Sequence, residues 1–137
     1  MRSFGIIHAV RIIMIRHIHL DVAFEKQLKA LGKAGGLVAQ VAKHAQAVID
    51  NLASRVKDGI RQTGRLTRHG EARIRNCIKY DLVHAYRLIG FRQGEDLFLL
   101  FLGTHDECDR WIRNNRRLRN IAAKEGNQVI FPRDDPL

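Results

Sequence analysis

The spacing of apolar residues along the chain changes character twice, and each change predicts a different kind of element. Residues 15–20, Ile-Arg-His-Ile-His-Leu, read as a short first strand, with Asp21 placed to cap a helix after it. Phe24, Leu28 and Leu31 then recur at i, i+4 and i+7, the period of a helix that ends near Gly32. Beyond the Gly-Lys-Ala-Gly-Gly stretch, Leu37, Val41, Val48, Leu52 and Val56 keep helical spacing to about Lys57, with Gly59 as the stop. Two consecutive helices with a glycine-rich joint predict a helical hairpin. Residues 59–72, with Gly59, Gly64 and Gly70 among arginines, predict a flexible basic loop.

From residue 73 the period falls to two. Arg73, Arg75, Cys77 and Lys79 alternate with Ile74, Asn76, Ile78 and Tyr80, which predicts a half-buried strand whose basic row gives the sheet a cationic face. Residues 85–92 (AYRLIGFR) and 97–103 (LFLLFLG) are separated by Gln93-Gly94-Glu95-Asp96 and predict a β-hairpin. A strand apolar on both faces must be covered on both, so residues 97–102 belong at the centre of the sheet, under the helical hairpin on at least one side. Thr104 and Glu107 have the spacing of a capping box, so a last helix starts there. The expected fold class is α+β: an N-terminal strand and helical hairpin packed on a small, mainly antiparallel sheet, with a C-terminal helix.

A chain of 137 residues suits one domain, and there is no repeat or low-complexity tract. The expected division is an N-terminal extension over 1–13, a domain over 14–120 and a C-terminal tail over 121–137. The opening MRSFGIIHAVRIIMI superficially resembles a signal peptide, but His8 and Arg11 interrupt it and no small-residue cleavage site comes after it. It is too short to span a bilayer, and reads as an added strand or arm, or as an upstream start whose natural counterpart is Met14.

Charge narrows the class of partner. Lys and Arg number 24 against 14 Asp and Glu, a formal charge of +10, and a folded protein this basic usually meets a polyanion. The cations are blocked: Arg61, Arg65, Arg68, Arg73 and Arg75 face the single acid Glu71 within 61–75, and residues 111–120 hold four arginines and no acid. Cys77 and Cys108 have neither disulfide-framework nor zinc spacing, so buried thiols in a reducing cytoplasm are expected. His17 and His19 share one strand face with no third ligand at useful spacing, so no metal site is expected. His105 is different, because it falls in the first turn of a helix, where the dipole favours the neutral imidazole and proton transfer at physiological pH is open to it.

The order strand, helix, helix, then antiparallel strands, with Tyr86-Arg87-Leu88 opening the middle strand and Gly103-Thr104-His105 ending the last, resembles the RelE/ParE superfamily of bacterial type II toxins. The resemblance covers roughly residues 14–115 and implies a microbial-RNase-like fold. For RelE-like members it implies a cofactor-free, metal-independent mRNA endoribonuclease that represses translation, with ribosome-bound mRNA as the favoured substrate. By this resemblance Arg87 contacts the scissile phosphate, His105 serves near the leaving group, and Lys79, with Arg73 or Arg75, supplies the remaining charge. Trp111, six positions beyond His105, would stack on an unstacked base, with Arg113 as a further RNA contact. Such a set suffices because RNA carries its own nucleophile: the 2′-hydroxyl attacks phosphorus once its proton is taken and the departing 5′-oxygen is protonated.

This chain departs from members that carry several histidines or a glutamate base, since the one nearby extra histidine is His84 in the preceding turn; the general base stays unassigned. The implied partners are mRNA, the ribosome and a cognate antitoxin, with no membrane; a homodimer is compatible with the sequence. The same scaffold also hosts ParE-like poisons of DNA gyrase without nuclease chemistry, and a basic nucleic-acid-binding module without activity stays open as a third class.

Overall fold

The computed structural model describes residues 15–58, 68–71, 73–121 and 128–129. In chain order the elements are β1 (His17–Leu20), α1 (Val22–Ala34), α2 (Gly36–Asp58), β2 (Arg68–Gly70), β3 (Cys77–Leu82), β4 (Tyr86–Gln93), β5 (Asp96–Thr104), α3 (His105–Asn114) and β6 (Gln128–Val129). The strands form one sheet in the order β2-β3-β4-β5-β1-β6, in which β1 runs parallel to β5 and the other pairs are antiparallel. This is the expected α+β arrangement.

Local chemistry sets the boundaries. The Asp21 side chain accepts a hydrogen bond from the Ala23 N–H at 3.1 Å and so starts α1. Gly35 and Gly36, at φ 77° and 62°, reverse the chain between the helices through left-handed backbone that side-chain-bearing residues rarely adopt. The helical hairpin buries Phe24, Val41, Ala45, Val48, Ile49 and Leu52 on one sheet face, against Ile18, Leu20, Tyr80, Leu88, Leu97 and Leu99. On the opposite face α3 lays Cys108 and Ile112 over Ile74, Cys77, Ile89, Phe91 and Phe98. Strand β5 lies between β4 and β1, with Leu97 and Leu99 under the hairpin and Phe98 under α3. Its unbroken apolar run is thereby covered on both sides.

Three stretches differ from the sequence reading. The strand expected over 73–80 begins only at Cys77: residues 73–76 form a turn, with Asn76 left-handed at φ 66° and the Cys77 N–H bonded to the Ile74 carbonyl at 3.2 Å. Ile74 and Cys77 enter the same core cluster, which alternate faces of one strand would forbid. Arg73 and Arg75 therefore leave the strand, and the expected cationic row reduces to Lys79. Within the segment read as a loop, Arg68–Gly70 pairs antiparallel with β3. Within the segment read as a tail, Gln128–Val129 pairs with β1 and extends the sheet. The N-terminal extension lies outside the described residues. Among those described, no helix is long and apolar enough to cross a membrane.

Candidate functional site

The corner where β5 meets α3 is built by a reciprocal pair of hydrogen bonds. Thr104 Oγ1 accepts from the Glu107 N–H at 3.2 Å, and Glu107 Oε1 accepts from the Thr104 N–H at 2.9 Å. Position 103 has room only for glycine: a Cβ there would lie 2.7 Å from Glu107 Oε1 and 2.9 Å from Phe101 Cε2. His105, the first residue of α3, is exposed, and its ring makes no hydrogen bond or ion pair with another described residue. The Cys108 thiol lies 3.5 Å from the Arg87 carbonyl and 3.6 Å from the Gly103 carbonyl, pinning the first turn of α3 over β4 at Arg87.

Arg87 sits in register between Asp81 of β3 and Gly103 of β5. Because Ile89 and Phe91, at alternating positions of β4, join the α3-side core, Arg87 points to that side as well. Its Nε donates to Asp81 Oδ1 at 2.9 Å. Both side chains are partly open to solvent.

Next to this pair lies a buried carboxylate. The Glu71 side chain is 5% exposed. Its Oε2 accepts from the Arg73 N–H and Nε, each at 2.8 Å, and its Oε1 from Arg73 Nη2 and Lys79 Nζ, each at 3.0 Å. Arg73 Nη1 continues to Asp109 Oδ1 at 2.7 Å, and Asp109 also pairs with Arg113 one helical turn on. A chain of alternating charge, Lys79–Glu71–Arg73–Asp109–Arg113, thus ties β3 to α3. The hydrogen bonds from Arg73 outweigh burial and, helped by Lys79, hold the Glu71 carboxyl down to about 2. Asp109 is lowered mainly by its bond from Arg73, and the Arg73 guanidinium is raised in turn. Glu71 is therefore ionised at neutral pH and too acidic to accept a proton in turnover. Burial pushes the Cys77 thiol up to about 11 and the Cys108 thiol up to about 12, so neither is a nucleophile.

The residues singled out from the sequence fall into groups. Arg87 and His105 share the β5–α3 corner. Lys79, Arg73 and Arg113 are joined through Glu71 and Asp109. Arg75 is exposed in the turn before β3. Trp111 stands apart: its ring stacks on Phe101, centroids 6.0 Å apart, and is half-buried in the α3-side core. At 100° per residue it lies on the flank of α3 opposite His105 and Asp109, which share the other. His84 belongs to the hairpin side, where its Nε2 lies 2.8 Å from Gln40 Oε1 while His44 Nδ1 accepts from the Val83 N–H at 3.0 Å. His17 and His19 both meet Asp96 Oδ1, at 3.4 and 3.0 Å, and His19 stacks on Phe98. Among the described residues there is no group of three or more His, Cys, Asp or Glu that could hold a metal ion.

What the sequence reading missed is the acids. Glu71, Asp81 and Asp109 hold the cations in place. Glu71 was legible as the lone acid of a basic block, and Asp109 as an i,i+4 partner for Arg113. Asp81 carried no local signal, because it meets Arg87 only through strand register.

No protein-family model matches the chain, and no curated protein does. Among solved structures, a copper-bound mutant form of a toxin from Helicobacter pylori is similar in part, at 16% identity and a TM-score of 0.47, over 66% of this chain and 94% of that one.

Proposed function

We propose that this chain is the toxin of a type II toxin–antitoxin system, a metal-independent endoribonuclease that cleaves ribosome-bound mRNA and so represses translation. The observation that carries this reading is the corner itself: an exposed imidazole unbound to other described residues, at the head of α3, whose first turn Cys108 packs onto the main chain of Arg87 in β4. Arg87 spends its Nε on Asp81, so its Nη donors are the ones to meet a scissile phosphate. His105 exchanges the proton with the attacking 2′-oxygen or the departing 5′-oxygen, and Lys79 contributes positive charge from β3. Glu71 and Asp109 orient cations and take no part as bases. A co-encoded antitoxin with an acidic or amphipathic segment would cover this face.

A second reading draws on one specific observation. Lys79, Arg73, Arg87 and Arg113 each already hold a carboxylate, an arrangement that suits a protein acting by contact alone, as a gyrase poison does. The experiment supplies purified protein to translating ribosomes and follows transcript length. The nuclease reading expects shortened mRNA, with His105→Ala and Arg87→Ala each lowering the cleavage rate by roughly 10² to 10⁴. Intact transcripts with accumulating gyrase-linked DNA breaks would overturn it in favour of the poison.

A further inference from the structure

We infer that the arginine-rich end of α3 is a docking surface for duplex RNA, separate from the corner that holds Arg87 and His105; the choice of RNA rests on the function proposed above. Arg110, Arg113, Arg116, Arg117 and Arg119 are all exposed, and residues 110–121 contain no acid. Arg113 alone among them has a carboxylate partner among the described residues. The contrast with the corner is direct: there each paired cation is neutralised by Asp81, Glu71 or Asp109, whereas here four guanidinium groups meet no carboxylate of another described residue. The C-terminal dipole of α3 accounts for a cation at Arg113 in the last turn, but not for Arg117 or Arg119 beyond it.

The support beneath these arginines is fixed. Asn115 closes the helix through its N–H to the Ile112 carbonyl at 3.1 Å and its side-chain amide to the Trp111 carbonyl at 2.7 Å, and the Leu118 N–H returns to Asn115 O at 2.9 Å. Leu118 and Ile121 pack into the α3-side core. The Gln93 amide then clamps Ile121 at both main-chain groups, at 2.9 and 2.7 Å. Cations on a segment held at both ends lose little freedom when they bind.

Chemistry selects the partner. A protein partner needs an exposed apolar or aromatic anchor; the exposed large hydrophobic residues among those described are Val22, Leu37 and Val83, none of them on or next to α3, and Trp111, Leu118 and Ile121 of this segment are packed partly into the α3-side core. A single strand needs a stacking platform, and Trp111 is committed to Phe101. Arginine forks with Asn114 and Asn120 alongside are the groups that contact phosphate and sugar without reading sequence. A-form RNA offers such exposed arginines a wide, shallow minor groove flanked by phosphates and 2′-hydroxyls.

The test measures binding of an RNA duplex across salt concentrations for the whole protein and two charge-matched triple variants. Arg116→Gln/Arg117→Gln/Arg119→Gln removes three cations from the patch, and Lys26→Gln/Lys29→Gln/Lys33→Gln removes three from the exposed face of α1. At about 0.9 counterions released per phosphate contact, the arginine variant should flatten the slope of log affinity against log salt by about 2.7. Between 50 and 200 mM salt it should then lose about forty-fold less affinity than the parent. The lysine variant should keep the parental slope, and a DNA duplex of equal length should bind more weakly. Equal flattening in both variants, an unchanged slope in the arginine variant, or equal binding to DNA would each overturn the inference. Loss of this slope in a protein that cleaves no RNA would leave the surface standing and remove the nuclease reading alone; unchanged binding with cleavage intact would do the reverse.

Discussion

Glu71→Gln isolates the buried carboxylate that organises the β3–α3 face. Its carboxyl falls from 4.5 in the open chain to about 2 in the fold, and at about 1.4 kcal/mol per pH unit that difference stabilises the native state by up to about 3 kcal/mol at neutral pH. Arg73 is 38% exposed and its share is screened, while Lys79 is 15% exposed and would be left without its acid, so a loss of about 2 to 3 kcal/mol is expected. For a chain of this size that lowers the unfolding midpoint by roughly 10 °C. The sign with pH is fixed by the direction of the shift. A depressed carboxyl contributes fully above about 4.5 and its contribution disappears as pH falls toward 2. Urea unfolding at pH 7 and across pH 5 to 2 should therefore show a stability gap between parent and variant that narrows on acidification. A gap that is constant over that range, or absent at pH 7, would refute the assignment of Glu71 as an ionised hub.

Gly103→Ala should cost about 1 to 3 kcal/mol in urea unfolding, because the added methyl meets Glu107 Oε1 and Phe101 at once and forces the capping box apart. Cys77 and Cys108 should resist iodoacetamide in the native protein at pH 8 and react fully in denaturant, since burial pushes both thiols well above that pH.

The architecture was legible where hydrophobic period and turn chemistry agreed. Residues 97–102 announced a central strand because no solvated face could hold six apolar side chains, and Thr104 with Glu107 marked the start of α3 by spacing alone. Two short edge strands were invisible, because Arg68–Gly70 and Gln128–Val129 have too few residues to show a period and owe their form to neighbours distant in sequence. At the candidate site the cations were legible, and Glu71 and Asp109 left local signals beside them, but Asp81 did not, because it meets Arg87 only through strand register. The alternation at 73–80 misled for a physical reason: a left-handed Asn76 turns the chain so that Ile74 and Cys77 share one core, which no pattern of polarity encodes. Trp111 fitted a spacing, but its stacking on Phe101 arises from the way α3 lies across β5.

The parallel pairing of β1 with β5 joins segments roughly eighty residues apart, and β6 completes that edge from further still. Closure of such distant partners is slow compared with formation of the helical hairpin or the β4–β5 hairpin. Until it occurs, the segment Leu97-Phe-Leu-Leu-Phe-Leu102, uncharged and rich in β-forming side chains, lacks the cover that α1, α2 and α3 later provide. The same stretch that centres the finished sheet is thus a hazard for self-association in the nascent chain until its cover is in place.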